Sequence, residues 1–328
     1  ENYREAPILM IAFISNHCPD SNATAPRLVA FADEMRSRGV AILGINPNHP
    51  EGLSVDELGY SRYDDGFEDM KRYADEVKLP FPYLWDGETQ STAMAYGCLT
   101  TPHVFIFDAE RRLRYKGQFD NSPYSQPETI KTQDARAAIE ALLAGKPIHV
   151  AETKPHGCST KWRSKKESVA KRVARWDAEP VVVEKAEIAK IKTLMKNEEG
   201  RYRLFNVWAT WCGPCVDEFL LLVQAMRRFS MRPFDLITLS VDHPGQTKRV
   251  QDFLQGMNAG VPRRLHPALK KEGRQTNHYL YADTDWQPLM QALDPAWPGG
   301  VPYTFLVSPE GEIVWRHSGE LDEQELVD

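Results

Sequence analysis

Apolar residues run along this chain in two rhythms: short unbroken stretches of strand character, and longer stretches in which they return at helical spacing. Ile8 to Ile14 predicts a strand, Ala25 to Arg38 an amphipathic helix closed by Gly39, and Val40 to Ile45 the next strand. Asp56 to Gly66 is polar and turn-rich, Phe67 to Val77 helical, and Phe81 to Asp86 a short strand. Ala135 to Gly145 reads as a helix and Lys146 to Cys158 as extended chain. Lys161 to Trp176 reads as a basic connecting helix with Val169, Val173 and Trp176 on one face. Leu204 to Ala209 is again a strand, and Val216 to Arg228 an amphipathic helix. Alternation of this kind predicts layered α/β structure with a mixed or parallel sheet.

The pattern also repeats. Thr101-Pro102 opens an apolar run to Asp108, followed by charged turn residues and Leu113 to Asp120; Val301-Pro302 opens a run to Ser308, followed by Ile313 to Arg316. Each hairpin lies a similar distance downstream of a cysteine that follows a strand, Cys18 in one case and Cys212 in the other. Two copies of one fold are expected, residues 1–160 and 179–328, joined by a helical linker at 161–178. The second carries an added segment, 256–300, with Tyr279, Tyr281, Trp286 and Trp297 available for packing or for a substrate groove. The chain opens on Glu1 and enters a strand almost at once, so upstream sequence, a signal peptide included, is expected to have been removed. Gly319 to Asp328 reads as the start of a helix cut short.

Composition narrows the function classes. With 328 residues, 42% hydrophobic and 26% charged, the chain has the makeup of a soluble globular protein of about two domains, and its net charge of -6 argues against nucleic acid as a partner. No apolar run approaches the roughly 20 residues of a membrane-spanning helix. Five cysteines are too few for a disulfide scaffold, which leaves catalytic use.

The chemistry centres on Cys212-Gly213-Pro214-Cys215, placed between a strand and a helix. A thiol at the first turn of a helix meets unsatisfied N–H groups and the positive end of the dipole, which favours its thiolate. Cys212 is therefore the expected nucleophile, and Cys215, one turn further in, the thiol that resolves a mixed disulfide. A zinc site would need a second pair of ligands at short spacing, and Cys18, Cys98 and Cys158 are isolated. The stretch Trp208-Ala-Thr-Trp211-Cys-Gly-Pro-Cys215 resembles the active site of the thioredoxin superfamily in its TlpA/ResA-like extracytoplasmic branch. The resemblance implies two thioredoxin-like domains, each a central mixed sheet flanked by helices. It further implies cis peptide bonds at Pro302 and Pro102 facing the active-site sulfur, with the backbone of Val301 holding a substrate strand. Glu218 matches a buried acid of ResA-like proteins that accepts the proton of the resolving thiol; read from the residues alone, it equally fits a surface carboxylate near a helix N-terminus. Protein disulfides or dithiols are the implied partners, with a membrane thiol reductase as electron donor, no cofactor, and a periplasmic or secreted location.

The first copy departs from this pattern. In Ser15-Asn16-His17-Cys18-Pro19-Asp20-Ser21 a serine stands where the second cysteine would be. The stretch from here through Phe81 to Asp86, the Pro102 hairpin and Gly157-Cys158 resembles bacterial redoxin-domain proteins related to AhpC/TSA, although Thr100 stands where that group more often has a cysteine. Several readings stay open. Cys18 pairs with a distant thiol, Cys98 first and Cys158 second. Alternatively it is the peroxidatic cysteine of a peroxidase, with the second copy as built-in reductant, although the arginine such chemistry needs would fall at about Pro102. Otherwise it joins His17 and His103 in a metal site, or lies inert in a docking domain.

Overall fold

A computed structural model describes residues 3–197, 199–322 and 325–326 of the chain. The chain forms two compact units, Glu1–Ser54 with Tyr60–Val169, and Val55–Gly59 with Ala170–Asp328.

In the first unit β1 (Ile8–Phe13) is apolar throughout and takes the centre of a five-stranded sheet. Its side chains alternate between two cores, as a strand buried on both faces requires. Ile8, Met10 and Ala12 pack with Leu28, Phe31 and Met35 of α1 (Pro19–Arg36), while Ile11 and Phe13 face the opposite layer. β2 (Val40–Asn46) runs parallel to β1; α2 (Phe67–Val77) follows, and β3 (Tyr83–Trp85) lies parallel to β2. α3 (Ser91–Tyr96) covers the second face through Ala93. After the short β4 (Thr100–Thr101), β5 (His103–Phe107) pairs antiparallel with β1, and β6 (Leu113–Gly117) pairs antiparallel with β5. α4 (Asp134–Leu143) closes the first face with Ala138 and Ile139. β7 (Cys158–Ser159) then returns to pair with β4.

The helix expected from Ala25 begins at Pro19, because Cys18 caps it and a proline is preorganised for the first helical position. The basic helix expected from Lys161 begins at Lys166: α5 spans Lys166–Asp177, while Lys161 is buried, its backbone carbonyl accepting from His49 N–H at 2.9 Å. Of the expected apolar stripe only Trp176 is buried; Val173 is exposed.

The second unit repeats the arrangement at larger size. β8 (Val183–Ala186) and α6 (Ile188–Lys196) lead to the central β9 (Tyr202–Trp208), α7 (Gly213–Arg228) and β10 (Phe234–Ser240). α8 (Thr247–Gly256), α9 (His266–Lys271), β11 (His278–Tyr281) and α10 (Gln287–Leu293) precede the hairpin of β12 (Tyr303–Val307) and β13 (Ile313–Ser318). The sheet order is β13-β12-β9-β10-β11-β8, with β9, β10, β11 and β8 parallel and β12 antiparallel to β9. The segment 256–300 is therefore no simple addition, since it supplies β11, a sheet strand with buried Tyr279 and Tyr281. The helix expected over 319–328 falls partly outside the described residues, and Gly319 to Asp322 is not helical. No helix among the described residues is long and apolar enough to cross a membrane.

Candidate active site

In the second unit the chain leaves β9 at Trp208, turns, and enters α7 with Cys212 as its N-cap. Asp242, at the end of β10, fixes that turn: its carboxylate accepts from Thr210 N–H at 2.9 Å, Thr210 Oγ1 at 2.6 Å and Ser240 Oγ at 2.8 Å. Cys212 and Cys215 form a disulfide, and Cys215 N–H lies 3.3 Å from Cys212 Sγ. Cys215 is fully buried and Cys212 nearly so. The Val301–Pro302 bond is cis, and the Val301 carbonyl oxygen lies 3.5 Å from Cys212 Sγ. The helix, the hairpin and the turn thus meet at one sulfur.

Trp211 is 56% exposed. Its ring lies 6.4 Å from that of Trp286 and nearly parallel to it; Trp286 is a further 6.4 Å from Trp297, and Trp297 is 5.6 Å from Tyr303. The column is anchored at its inner end. Asp294 accepts from Tyr303 Oη and Arg316 Nε, both at 2.6 Å, and Trp297 Nε1 donates to Gly300 O at 2.7 Å. Of the aromatics in 256–300, Tyr279, Tyr281 and Trp297 are packing residues, and Trp286 extends the surface beside the disulfide.

Glu218 points into the unit rather than into solvent. Asn206 Nδ2 donates to Oε1 at 2.8 Å and to Thr304 Oγ1 at 3.0 Å, and Leu321 N–H donates to Oε2 at 2.8 Å. Burial raises the carboxyl to about 7, and the two donated hydrogen bonds hold it from going higher. Asn206 had a readable signal, an amide interrupting an apolar strand. Asp242 and Asp294 had none.

In the first unit Cys18 caps α1 as Cys212 caps α7 and is completely buried. As a thiol it donates to Thr101 O at 3.0 Å; Ser21 N–H points to its sulfur at 3.5 Å. The Thr101–Pro102 bond is cis. Beside Cys18, His17 Nδ1 is 2.5 Å from Asp65 Oδ2. Asp65 also accepts from Asn16 N–H at 2.8 Å, Asn46 Nδ2 at 3.2 Å and Asn48 Nδ2 at 2.8 Å. Burial alone would raise Asp65, but the His17 charge and these donors hold it below the usual carboxylate range; burial alone would lower His17, and Asp65 raises it instead. Burial likewise opposes the Cys18 thiolate, yet the Cys158 S–H, Ser21 N–H, the His17 charge and Cys158 N–H bring the thiol down to about 6. Cys158 is pushed upward, first by its hydrogen bond to Cys18 and then by burial. Asp65 sits in a stretch that read only as polar turn.

The distant thiol beside Cys18 is therefore Cys158, and Cys98 lies elsewhere, in the core cluster with Phe13 and Phe105. Its sulfur is 3.4 Å from Thr100 O and 3.6 Å from Thr160 Oγ1, and burial pushes it up to about 12. His17, Cys18 and His103 do not converge on a metal site. His103 is held down at about 4 by burial, its Nδ1 accepts from Leu99 N–H at 3.4 Å, and its ring packs on Phe105. The soft donors that do gather, within 4.8 Å of one another, are Cys18 Sγ, Cys158 Sγ and an Asp20 carboxylate oxygen. Ser15 Oγ is hydrogen-bonded to Thr101 Oγ1 at 2.8 Å.

Residues 1–116 match the AhpC/TSA family. The thiol-disulfide oxidoreductase ResA of Bacillus subtilis is 26% identical over 131 residues, which is 40% of this chain and 60% of that protein. The chain thus spans about three-fifths of that relative's length. A hypothetical protein of Sinorhizobium meliloti 1021 is 34% identical over 49% of this chain and 82% of its own, with a TM-score of 0.42. An uncharacterized conserved protein of Geobacillus kaustophilus is 35% identical over 49% and 80%, with a TM-score of 0.42. A thiol:disulfide interchange protein of the thioredoxin family from Chlorobium tepidum is 19% identical over 42% and 79%, with a TM-score of 0.31. This is a mixed α/β chain of thioredoxin-like fold, whose residues 1–116 match the AhpC/TSA family.

Proposed function

We propose that the protein is a thiol:disulfide oxidoreductase working by dithiol–disulfide exchange at Cys212 and Cys215. One observation carries the reading: two cysteines bonded at the N-terminus of α7, the first facing the carbonyl that precedes Pro302. In the reducing direction Cys212 thiolate attacks a substrate disulfide, one substrate thiolate leaves, and a mixed disulfide remains on Cys212. Cys215 then attacks Cys212 Sγ, the second substrate thiolate leaves, and the protein holds the disulfide seen here. Glu218, poised near neutrality by burial, takes the Cys215 proton through the interior of the unit. The backbone at Val301 offers the substrate an extended edge, and the exposed ring of Trp211 flanks it. Protein dithiols or disulfides are the substrates of this reading, with an extracytoplasmic setting and a membrane thiol reductase as electron donor; the first unit is an accessory redoxin domain.

The test is trapping. Cys215→Ser incubated with a disulfide-bonded protein is expected to accumulate a mixed disulfide on Cys212, and Cys212→Ser to lose turnover of that substrate. If the Cys212→Ser chain still turns over at the unsubstituted rate, the reading is wrong.

A further inference from the structure

The two units treat the backbone before their cis-prolines differently. In the second unit, no strand among the described residues lies against Gly300 and Val301, so the edge beside Cys212 is open. In the first, the chain's own β7 fills that edge: Thr101 pairs with Cys158 and Thr100 with Ser159, antiparallel. The approach is close enough to demand a glycine. Gly157 has φ +135°, and a Cβ there would fall 2.1 Å from Thr101 O. Thr160 N–H continues the pairing to Leu99 O at 3.0 Å, and Lys161 N–H is fixed by Asn48 Oδ1 at 2.8 Å. An extended peptide added to a free edge is how a strand-binding site takes its ligand. Here that place is occupied in cis, and the residue opposite Thr101 is a cysteine whose thiol meets Cys18.

We propose that Cys18 and Cys158 form a second redox centre, in which the built-in strand at 157–159 stands where a substrate backbone would lie and electrons enter through the sulfur of Cys158. Access sets the polarity: Cys18 is completely buried, whereas Cys158 is half-buried and so is the less enclosed of the two residues. With the pair closed as a disulfide, a thiolate of an incoming dithiol attacks Cys158 Sγ. The bond between the two protein sulfurs breaks, and its electron pair leaves on Cys18 Sγ. That leaving group is favoured by the N–H groups of Ser21 and Cys158 and by His17, which Asp65 orients. The donor's second thiolate then attacks its own sulfur in the mixed disulfide, and Cys158 departs and takes up a proton. The donor is oxidised and the pair reduced by two electrons. Stabilising the Cys18 thiolate stabilises the reduced pair, so the closed pair is an oxidant. The order of attack is the reverse of that at Cys212, where the cap cysteine receives the substrate. This centre stands apart from the Cys212–Cys215 reading and can fail without it.

The experiment uses the full chain, both unsubstituted and with Cys212→Ser and Cys215→Ser. Each is equilibrated with reduced and oxidised glutathione, quenched by alkylation in acid, and mapped by peptide mass. A Cys18–Cys158 bridge with Cys98 alkylated is the expected result in both chains; the unsubstituted one needs no variant to fold. To the chain already carrying Cys212→Ser and Cys215→Ser, Cys18→Ser and Cys158→Ser are then added separately. Glutathione on Cys158 of the first is expected to exceed that on Cys18 of the second by at least about tenfold. A bridge to Cys98, no bridge at any glutathione ratio, the reverse adduct preference, or stoichiometric zinc shielding the pair from glutathione would each overturn the proposal.

Discussion

A carboxylate on the first turns of a helix ordinarily rests in solvent, where the dipole favours its charge. Glu218 turns the other way, because Asn206, itself held by Thr304, and Leu321 N–H give the inward position its polar partners. Its spacing from Cys215 was legible in sequence, but burial was not, since those partners come from β9, β12 and the chain beyond β13. The folded carboxyl at about 7 lies above its unfolded value of 4.5, so the unfolded chain releases this proton first. Stability from this group is fully present below 4.5 and is lost as pH rises through about 7, a loss of about 3 kcal/mol. Denaturant titrations should show that slope, and Glu218→Gln should flatten it while slowing reduction of a protein disulfide by about a hundredfold at neutral pH. An unchanged pH slope in Glu218→Gln would remove Glu218 from the proton path. Asp65 was illegible for the same reason: its four partners come from the turn before α1 and from the end of β2 and the loop after it.

Among the elements, continuous apolar runs and cap residues were readable. β1, β2 and β9 stand close to where their hydrophobic stretches placed them, and both active-site helices start on a cysteine backed by proline. β11 was lost inside 256–300 because four residues between polar neighbours make no period, and its aromatics looked like an added surface. The column from Trp211 to Tyr303 belongs to this scale, since its members come from the cap of α7, the start of α10, the chain before β12 and β12 itself. Trp211→Ala should change stability by no more than about 0.5 kcal/mol, because the ring is mostly exposed. It should raise KM for a protein disulfide several-fold and leave a small disulfide such as oxidised glutathione unaffected; equal effects on both would argue against a docking role.

For the whole molecule, the doubled hairpin and doubled cap cysteine were the basis for expecting two copies, and nothing in them pointed to a short segment lying in a different unit from its chain neighbours. Residues 55–59 belong to the second unit, where Asp56 pairs with Arg172 at 3.0 Å and faces Arg264 at 3.7 Å. No periodicity could reveal that, because the segment packs against α7 and the turn after it, more than a hundred positions further along the chain. Each unit has its own core clusters, so denaturation should proceed in two transitions. Reducing Cys212–Cys215 should move one of them, by about 2 kcal/mol, and leave the other in place; a single transition that shifts as a whole would contradict this. The hydrogen bond from Leu321 N–H to Glu218 also ties the stretch after β13 to the state of the acid. An ionised carboxylate is the stronger acceptor, so that stretch is clasped more tightly as pH rises through about 7, even as the unit around it loses stability. The stretch after β13 is a latch that rising pH closes, and losing the Leu321 N–H would strip the acid of a donor and leave its proton harder to remove.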